Sequence, residues 1–139
     1  MAATERFHPL AEVQLRASDP RHSAWLSASA GTGKTQAITA RVLRLLLAGV
    51  DPGAILCLTF TKAGAAEMAQ RIHARLAQWV RLKSEDLARD LLALGEDISP
   101  DAVKRARTLF ARVLDAPGGG LRIETIHAFA QSLLSAFPI

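Results

Sequence analysis

The residues with the clearest chemical signature form a glycine-containing loop that ends in a lysine and a threonine. The eight positions are Ala28, Ser29, Ala30, Gly31, Thr32, Gly33, Lys34 and Thr35. Glycines let backbone N–H groups come close to an anion, and the start of a helix adds the positive end of its dipole. The pattern predicts a cradle for a nucleoside triphosphate, in which Lys34 contacts the β- and γ-phosphates and the Thr35 hydroxyl binds Mg²⁺.

This loop departs from the strict pattern at one position, because alanine stands at 28 where the pattern has glycine. The alternative interpretation is a glycine-rich turn that precedes an ordinary amphipathic helix. We favour the phosphate cradle, because an apolar segment of strand length comes directly before the loop and apolar residues at helical spacing come directly after it.

A second candidate surface begins where the next apolar run ends. It comprises Thr59, Phe60, Thr61 and Lys62, followed by small residues at the start of a helix. Hydroxyl and N–H donors, a lysine and small side chains together suit the phosphates of a nucleic-acid backbone, and Phe60 could stack on a base. The residues alone leave a plainer alternative open, in which Phe60 is a core residue and Lys62 caps a turn.

Strands and helices are predicted in alternation around these segments. The strands are at 25–30, 55–60 and 121–125, and the helices that follow them are at 34–48, 63–80 and 126–136. Residues 84–115 have helical spacing in two pieces, divided at 95–100, and a loop follows at 117–120. The run at 55–60 suits a parallel strand buried on both faces. The order predicts a doubly wound α/β domain.

The composition limits the class of protein. Half of the 139 residues are hydrophobic and 22% are charged, which excludes a disordered or collagen-like chain. The net charge of +4 is compatible with a nucleic-acid partner and equally with an ordinary solvated surface. No apolar run approaches the length of a membrane span, no secretory leader is visible, and the single cysteine, Cys57, excludes an intrachain disulfide. We therefore expect a cytoplasmic protein.

Three segments, in this order along the chain, carry a resemblance to a known family. They are SASAGTGKT at 27–35, LTFTKAGAAEMAQRI at 58–72 and RIETIHAFAQSLL at 122–134. Together they resemble the first helicase motifs of the UvrD/Rep group of superfamily 1 helicases. The residues are most similar to those of the AddA-type helicase–nuclease subunits of double-strand break repair, because Ser29 lies beside Ala28 and Lys62 directly follows Thr61.

The resemblance implies a fold, ligands and partners. The implied fold is an α/β RecA-like core of a P-loop NTPase, present in part, with a parallel sheet of about three strands flanked by helices. Residues 1–24 would be an N-terminal segment, and 25–139 a partial motor domain 1A with a helical insert at about 84–116. The implied activity is ATP-dependent DNA unwinding in double-strand break repair and recombination, with ATP and Mg²⁺ as cofactors. The implied partners are single- and double-stranded DNA and a second, AddB-like subunit.

The resemblance also gives Gln14 a role. UvrD-like proteins have a glutamine about twenty residues before the lysine of the phosphate loop, and Gln14 stands at that distance from Lys34. An amide offers a donor and an acceptor together, as the edge of adenine requires. Gln14 is therefore expected to contact the adenine of the nucleotide.

The resemblance assigns six residues to the DNA side of the motor. They are Thr59, Phe60, Thr61 and Lys62 in the second segment, and Thr125 and His127 in the third. Residues 125–129 correspond to a Thr-x-His-x-Phe motif. For His127, a structural hydrogen-bonded histidine is an equally open interpretation, and we do not assign it as a general base.

One part of the expected catalytic machinery is absent from the sequence. Hydrolysis needs a carboxylate for Mg²⁺ and an acid that orients the attacking water, and in the family both come from an apolar strand that ends in Asp-Glu. No Asp-Glu pair occurs in the chain. We therefore expect a fragment, a shortened gene product or an incomplete gene model. The apolar faces of the helices at 34–48 and 126–136 should then lack part of their cover.

Two other functions remain open at this point. One is a non-catalytic module that binds DNA or a protein partner. The other is a small P-loop kinase, in which the segments at 59–68 and 125–129 would have no role. The helical insert at 84–116 is interpreted either as a solvated helical pair or as a DNA-facing surface.

Overall fold

The computed structural model describes residues 8–27 and 33–137. Six α-helices and two β-strands lie in the described ranges, together with single-turn 3₁₀ helices at Pro52–Ala54 and Pro117–Gly119. In chain order they are α1 (Glu12–Ser18), α2 (Lys34–Leu47), β1 (Leu56–Thr59), α3 (Lys62–Arg81), α4 (Ser84–Ala93), α5 (Pro100–Leu114), β2 (Arg122–Thr125) and α6 (Ile126–Ala136). The helices predicted from residue 34 onward are confirmed, and α6 has the predicted bounds.

The two strands form a parallel pair. The register runs from Leu56 opposite Arg122 to Thr59 opposite Thr125. Parallel neighbours need a crossover connection, and here it contains the three helices α3, α4 and α5. Within the described residues the sheet has two strands, where the sequence predicted about three.

The strand predicted at 25–30 is wrong in the part that the structure describes. Trp25, Leu26 and Ser27 have no regular structure, and the side chain of Trp25 is 94% exposed. A strand is defined by backbone hydrogen bonds to a neighbour, and no described strand pairs with these residues. Residues 28–30 lie outside the described ranges.

The two faces of β1 differ in burial. Cys57 points into the core, whereas Leu56 and Leu58 are 38% and 43% exposed. Alternate side chains of a strand point to opposite faces, so only one face of this sheet packs on the core of the described structure. The prediction that β1 is buried on both faces is therefore wrong here. Burial also raises the pKa of the Cys57 thiol, as expected for a packing residue.

The core lies where α3 crosses α2 and the pair formed by α4 and α5. Helical spacing places Met68, Ile72, Leu76 and Trp79 on one face of α3, and all four are buried. Ile72, Leu76 and Trp79 have no exposed surface. The opposite face of α3 carries a Glu67–Arg71 ion pair, with 2.6 Å between Oε1 and the guanidinium.

A polar contact inside this core joins α3 to α4. The carboxylate of Asp90 is nearly buried, and its Oδ2 accepts hydrogen bonds from the indole N–H of Trp79 at 3.0 Å and from Arg75 at 3.2 Å. A buried carboxylate is tolerated when donors of this kind surround it.

The expected gap in cover is confirmed for α6 and wrong for α2. No residue of α6 is buried, and Leu134 and Phe137 at its end are more than 70% exposed. In contrast, α2 has eight buried residues, and Ile38 is its most exposed large apolar side chain. The difference arises because α2 packs on α1, α3 and α5, whereas α6 contacts mainly the two strands. No described helix is long and apolar enough to cross a membrane.

The Asp90 contact is expected to contribute more stability than an exposed ion pair of the same helix. Asp90→Ala should lower the free energy of unfolding by about 3 kcal/mol, because it removes a buried carboxylate shared by Arg75 and Trp79. Asp86→Ala removes an exposed 3.5 Å pair with Arg89 and should change it by less than about 0.5 kcal/mol. Urea unfolding of both variants measures the difference, and equal losses would contradict the assignment.

Candidate functional site

The described part of the phosphate loop is its helical end. Residues 28–32, and with them the predicted contributions of Ala28, Ser29, Ala30, Gly31 and Thr32, lie outside the described residues. Gly33 is the N-cap of α2 with φ +87°, and α2 begins at Lys34. The predicted rise of a helix at the lysine is confirmed. The first turn of α2 contains no acidic residue, so nothing in that turn opposes an anion at the N-terminus.

A cavity lies beside Lys34. It has a volume of about 440 Å³ and is an open cleft between one face of α2 and the chain around and after the end of α1. Four residues of α2 and four residues on the other side line it: Lys34, Ala37, Ile38 and Arg41, and Ala17, Ser23, Ala24 and Leu26. Lys34 is thus one of the residues that line a partly apolar cleft, which is typical of a pocket that takes a ligand with one charged end.

The structure brings Gln14 to the end of the phosphate loop. Its side-chain amide Nε2 donates to the carbonyl of Gly33 and to Oε1 of Gln36, both at 3.2 Å. Its Oε1 accepts from the backbone N–H of Ala11 at 2.9 Å and so helps to cap α1. A Cβ atom at position 33 would displace Nε2 of Gln14, and the φ of +87° also favours glycine there. Gln14 therefore contacts Gly33, the residue directly before Lys34.

Gln36 is a residue of this site that sequence reasoning did not single out. Its Oε1 accepts one of the two amide hydrogens of Gln14, and its own Nε2 donates to the carbonyl of His8 at 3.5 Å. A glutamine two positions after the lysine does not belong to any motif that can be recognised in the sequence. Only the spatial approach of α1 to the first turn of α2 identifies it.

Arg41 is a second residue that sequence reasoning missed. Its guanidinium donates to the carbonyls of Ala17 at 3.0 Å, Asp19 at 2.9 Å and His22 at 2.7 Å. These carbonyls belong to the end of α1 and the turn after it, where helix carbonyls lack intrahelical partners. Arg41 therefore holds one wall of the cavity against α2. The sequence did contain a signal for Arg41, because it lies two helical turns after Lys34 on the same face of the helix.

The turn after α1 is also fixed by a local ion pair. Arg21 donates from Nε at 3.0 Å and from NH2 at 2.8 Å to the carboxylate of Asp19, and the backbone N–H of Arg21 adds a third bond at 3.0 Å. These bonds hold the pKa of the Asp19 carboxyl well below its usual range. Asp19 therefore stays ionised at neutral pH and keeps the turn closed.

A second region lies at the carboxyl ends of the two strands. Thr59 and Thr125 are register partners there, and α3 and α6 begin within a few residues of them. Adjacent strands of a sheet lie about 4.8 Å apart, so the two helix N-termini start side by side. The segments at 59–62 and 125–127, which are far apart in sequence, are thus brought together at one edge.

The hydroxyl groups of this edge are used within the protein. Thr61 Oγ1 accepts from the N–H of Gly64 at 3.0 Å and caps α3, and Thr125 Oγ1 accepts from Ala128 at 3.1 Å and caps α6. Thr59 Oγ1 donates to the carbonyl of Thr61 at 2.8 Å. The three threonines therefore shape the two helix starts.

The remaining side chains of the edge are open to solvent. Phe60 is 90% exposed, so the interpretation of Phe60 as a core residue is wrong for the described structure. Lys62 and His127 are also exposed, and each lies in the first turn of its helix. Thr61, not Lys62, makes the cap of α3. An aromatic ring, a lysine and two helix N-termini thus face outward together.

A metal centre is not formed by the described residues alone. No group of three or more His, Cys, Asp or Glu side chains in those ranges could hold a metal ion. Thr35, the predicted Mg²⁺ ligand, is an exposed residue in the first turn of α2.

Comparison with known proteins gives a consistent family. The model of the UvrD/REP helicase N-terminal domain matches residues 10–138. An ATP-dependent helicase/nuclease A-subunit of Latilactobacillus sakei is 33% identical over 116 residues, which are 84% of this chain and 11% of that protein. Proteins of the same name from Enterococcus faecalis (31% over 112 residues) and Levilactobacillus brevis (48% over 63 residues) also match. The Enterococcus faecalis match covers 81% of this chain and 7% of that relative. The Levilactobacillus brevis match covers 45% of this chain and 5% of that relative. No solved structure gives a significant match.

The Thr61 cap predicts a measurable effect on stability. Thr61→Ala should lower the free energy of unfolding by about 1 kcal/mol, because the N–H of Gly64 loses its acceptor at the start of α3. Thr61→Ser keeps the hydroxyl and should recover most of that loss. Urea unfolding of the two variants separates the cap from other effects of the side chain. A serine variant as unstable as the alanine variant would contradict the assigned cap.

Proposed function

The chain belongs to the UvrD/REP helicase N-terminal domain family, and from this premise we propose that it is the first part of the motor of an ATP-dependent DNA helicase. The proposed whole protein is of the AddA type and acts in the cytoplasm on double-strand breaks and in recombination. In this chain the proposed tasks are to bind ATP with Mg²⁺ and to hold single-stranded DNA. Residues 25–139 would form a partial RecA-like motor domain 1A, and 1–24 the segment that contacts adenine.

The observation that carries the proposal is the pairing of Thr59 with Thr125 in the parallel register. It joins two sequence segments into one exposed edge with an aromatic ring, a lysine and two helix N-termini. Backbone N–H groups at helix starts bind phosphate oxygens, and an exposed aromatic ring stacks on bases without regard to sequence. A small kinase has no use for such an edge, so this geometry favours the helicase.

The nucleotide end of the proposal depends on α2 and Gln14. Lys34 and the N–H groups of the first turn would hold the phosphates, and Gln14 would contact the edge of adenine. Both amide hydrogens of Gln14 are used by Gly33 and Gln36, so donation from Nε2 to adenine requires the exchange of one of these bonds. Mg²⁺, when bound through Thr35, would neutralise phosphate charge.

The catalytic part of the proposal lies outside this chain. The curated relatives are longer, since the matched segments span 5–11% of their lengths. The sequence has no Asp-Glu pair to hold Mg²⁺ and orient water. We therefore propose that the 139 residues alone bind ATP and DNA but turn ATP over slowly, and that turnover and an AddB-like partner belong to the whole protein. A non-catalytic binding role of the isolated chain agrees with the same absence.

Lys34 is expected to carry much of the nucleotide affinity. Lys34→Ala should raise the Kd for ATP by at least about tenfold, because a charge-assisted contact to phosphate is lost. Lys104→Ala, which removes an exposed lysine of α5, is the matched control and should leave the Kd unchanged. Isothermal titration with ATP and Mg²⁺ measures both. Equal affinities of the wild type and Lys34→Ala would contradict nucleotide binding at this loop.

The exposed edge is expected to bind single-stranded DNA in two separable ways. Phe60→Ala should raise the Kd for an oligothymidine about tenfold, since one stacked base contributes about 1–3 kcal/mol. Lys62→Ala should instead reduce the slope of log K against log salt by about 0.7, the value for one phosphate contact. Fluorescence anisotropy at several salt concentrations measures both quantities. Leu92→Ala, at an exposed apolar residue of α4, is the control. A Phe60→Ala variant that binds like the control would overturn the proposed edge.

A further inference from the structure

The pair of helices α4 and α5, hereafter the α4–α5 hairpin, contacts α1 through the end of α4. Gly95, at φ +80°, and Glu96 donate backbone bonds of 2.9 Å to the carbonyls of Leu92 and Leu91, which ends α4 in a Schellman motif. A Cβ atom on Gly95 would lie 2.9 Å from Cδ2 of Leu15 in α1. The end of α4 is thus packed closely against Leu15 of α1, and the positive φ of Gly95 favours glycine at this position.

Arg44 of α2 connects this contact to the nucleotide helix. Its side chain is 9% exposed, and its Nε donates to Oε1 of Glu96 at 2.8 Å. Its NH1 donates to the carbonyl of Leu15 at 3.0 Å and to Oγ of Ser18 at 2.9 Å, and Ser18 is fully buried. One guanidinium therefore joins α1, α2 and the tip of the α4–α5 hairpin.

These contacts hold a helix that is too short to be stable alone. The seven residues of α1 make two turns, and isolated helices of that length do not persist in water. A cation beside the carbonyls of the last turn of α1 is favourable for the helix dipole. Gln14 immediately precedes Leu15 in this helix, so the position of the Gln14 amide depends on how α1 is held.

We propose that Glu96 and Arg44 are positioning residues, through which the α4–α5 hairpin places the Gln14 amide for adenine. The α4–α5 hairpin then has a role beyond that of a solvated helical pair, and it is not a DNA-facing surface. It sets the preference of the nucleotide site for adenine over other bases. This inference rests on the proposed function, because it assumes that Gln14 contacts the base. The base preference should follow the Glu96–Arg44 contact even though neither residue lines the cavity beside Lys34.

A double-mutant cycle on the 139-residue chain tests the proposal. The Kd values for ATP and GTP are measured by competition with a fluorescent ATP analogue for the wild type, Gln14→Ala, Glu96→Ala and the double variant. Glu96→Ala should lower the preference for ATP over GTP about fivefold, a usual size for coupling between neighbouring groups. In the Gln14→Ala background the same change should have no further effect. Asp86→Ala, which breaks an exposed ion pair of the same hairpin, is the matched control.

The outcomes separate the inference from the proposed function. If Gln14→Ala lowers the preference and Glu96→Ala does not, the positioning role is overturned while the nucleotide site stands. Equal weakening of ATP and GTP by Glu96→Ala also overturns it, since that is the result of a merely structural role. If the wild type shows no preference for ATP over GTP and Gln14→Ala has no effect, both the positioning role and the proposed function are overturned. Glu96→Gln keeps an acceptor oxygen and should lie between the wild type and Glu96→Ala. It carries the test should circular dichroism show that the alanine variant is unfolded.

Discussion

The parallel register of β1 and β2 is the constraint on which the candidate DNA-side geometry depends. A parallel pair places the carboxyl ends of both strands at one edge, and it forces the chain between them to return across the core. The helices α3 to α5 make that return, and they supply ten of the nineteen residues of the buried apolar cluster. Thr59 lies opposite Thr125 in this register, and Thr61 and Thr125 cap the two helices that begin at this edge. The same backbone pairing therefore determines both the core and the open edge.

The helix α2 connects the nucleotide end with the rest of the molecule. Its apolar side is buried in the core, its N-terminus carries Lys34, and its two arginines bind the end of α1. Arg41 and Arg44 are one turn apart, and both donate to backbone carbonyls in the last turn of α1 or in the turn that follows it. A short helix that contains Gln14 is thereby held against Gly33. Gly33 at the start of α2, Gln14 and the end of α4 are thus parts of one hydrogen-bonded unit.

Local sequence patterns were sufficient for the helices from residue 34 onward. The stripe of α3 and the bounds of α6 follow from helical spacing and from threonines at the caps, all of which are encoded within a few residues. Burial of the strands was not predictable in the same way. Leu56 and Leu58 are as apolar as core residues, and their exposure depends on which strands and helices lie beside them.

Contacts between polar residues that are distant in sequence could not be predicted either. Nothing near Arg44 in the chain indicates Glu96 as its partner, because the pair exists only once α4 has ended on a glycine beside α1. The helix α1 was missed for a related reason. It is held by arginines of α2 and has little helical signal of its own. The resemblance singled out Gln14 by its distance from Lys34, whereas its contacts with Gly33 and Gln36 required the structure.

The most direct measurement is hydrogen–deuterium exchange of the backbone amides with and without an oligothymidine. If the carboxyl ends of β1 and β2 form one DNA-binding edge, exchange should slow at 59–64 and at 125–129 together, at the same oligonucleotide concentration. Slowed exchange confined to 84–114, with neither strand end affected, would contradict the account.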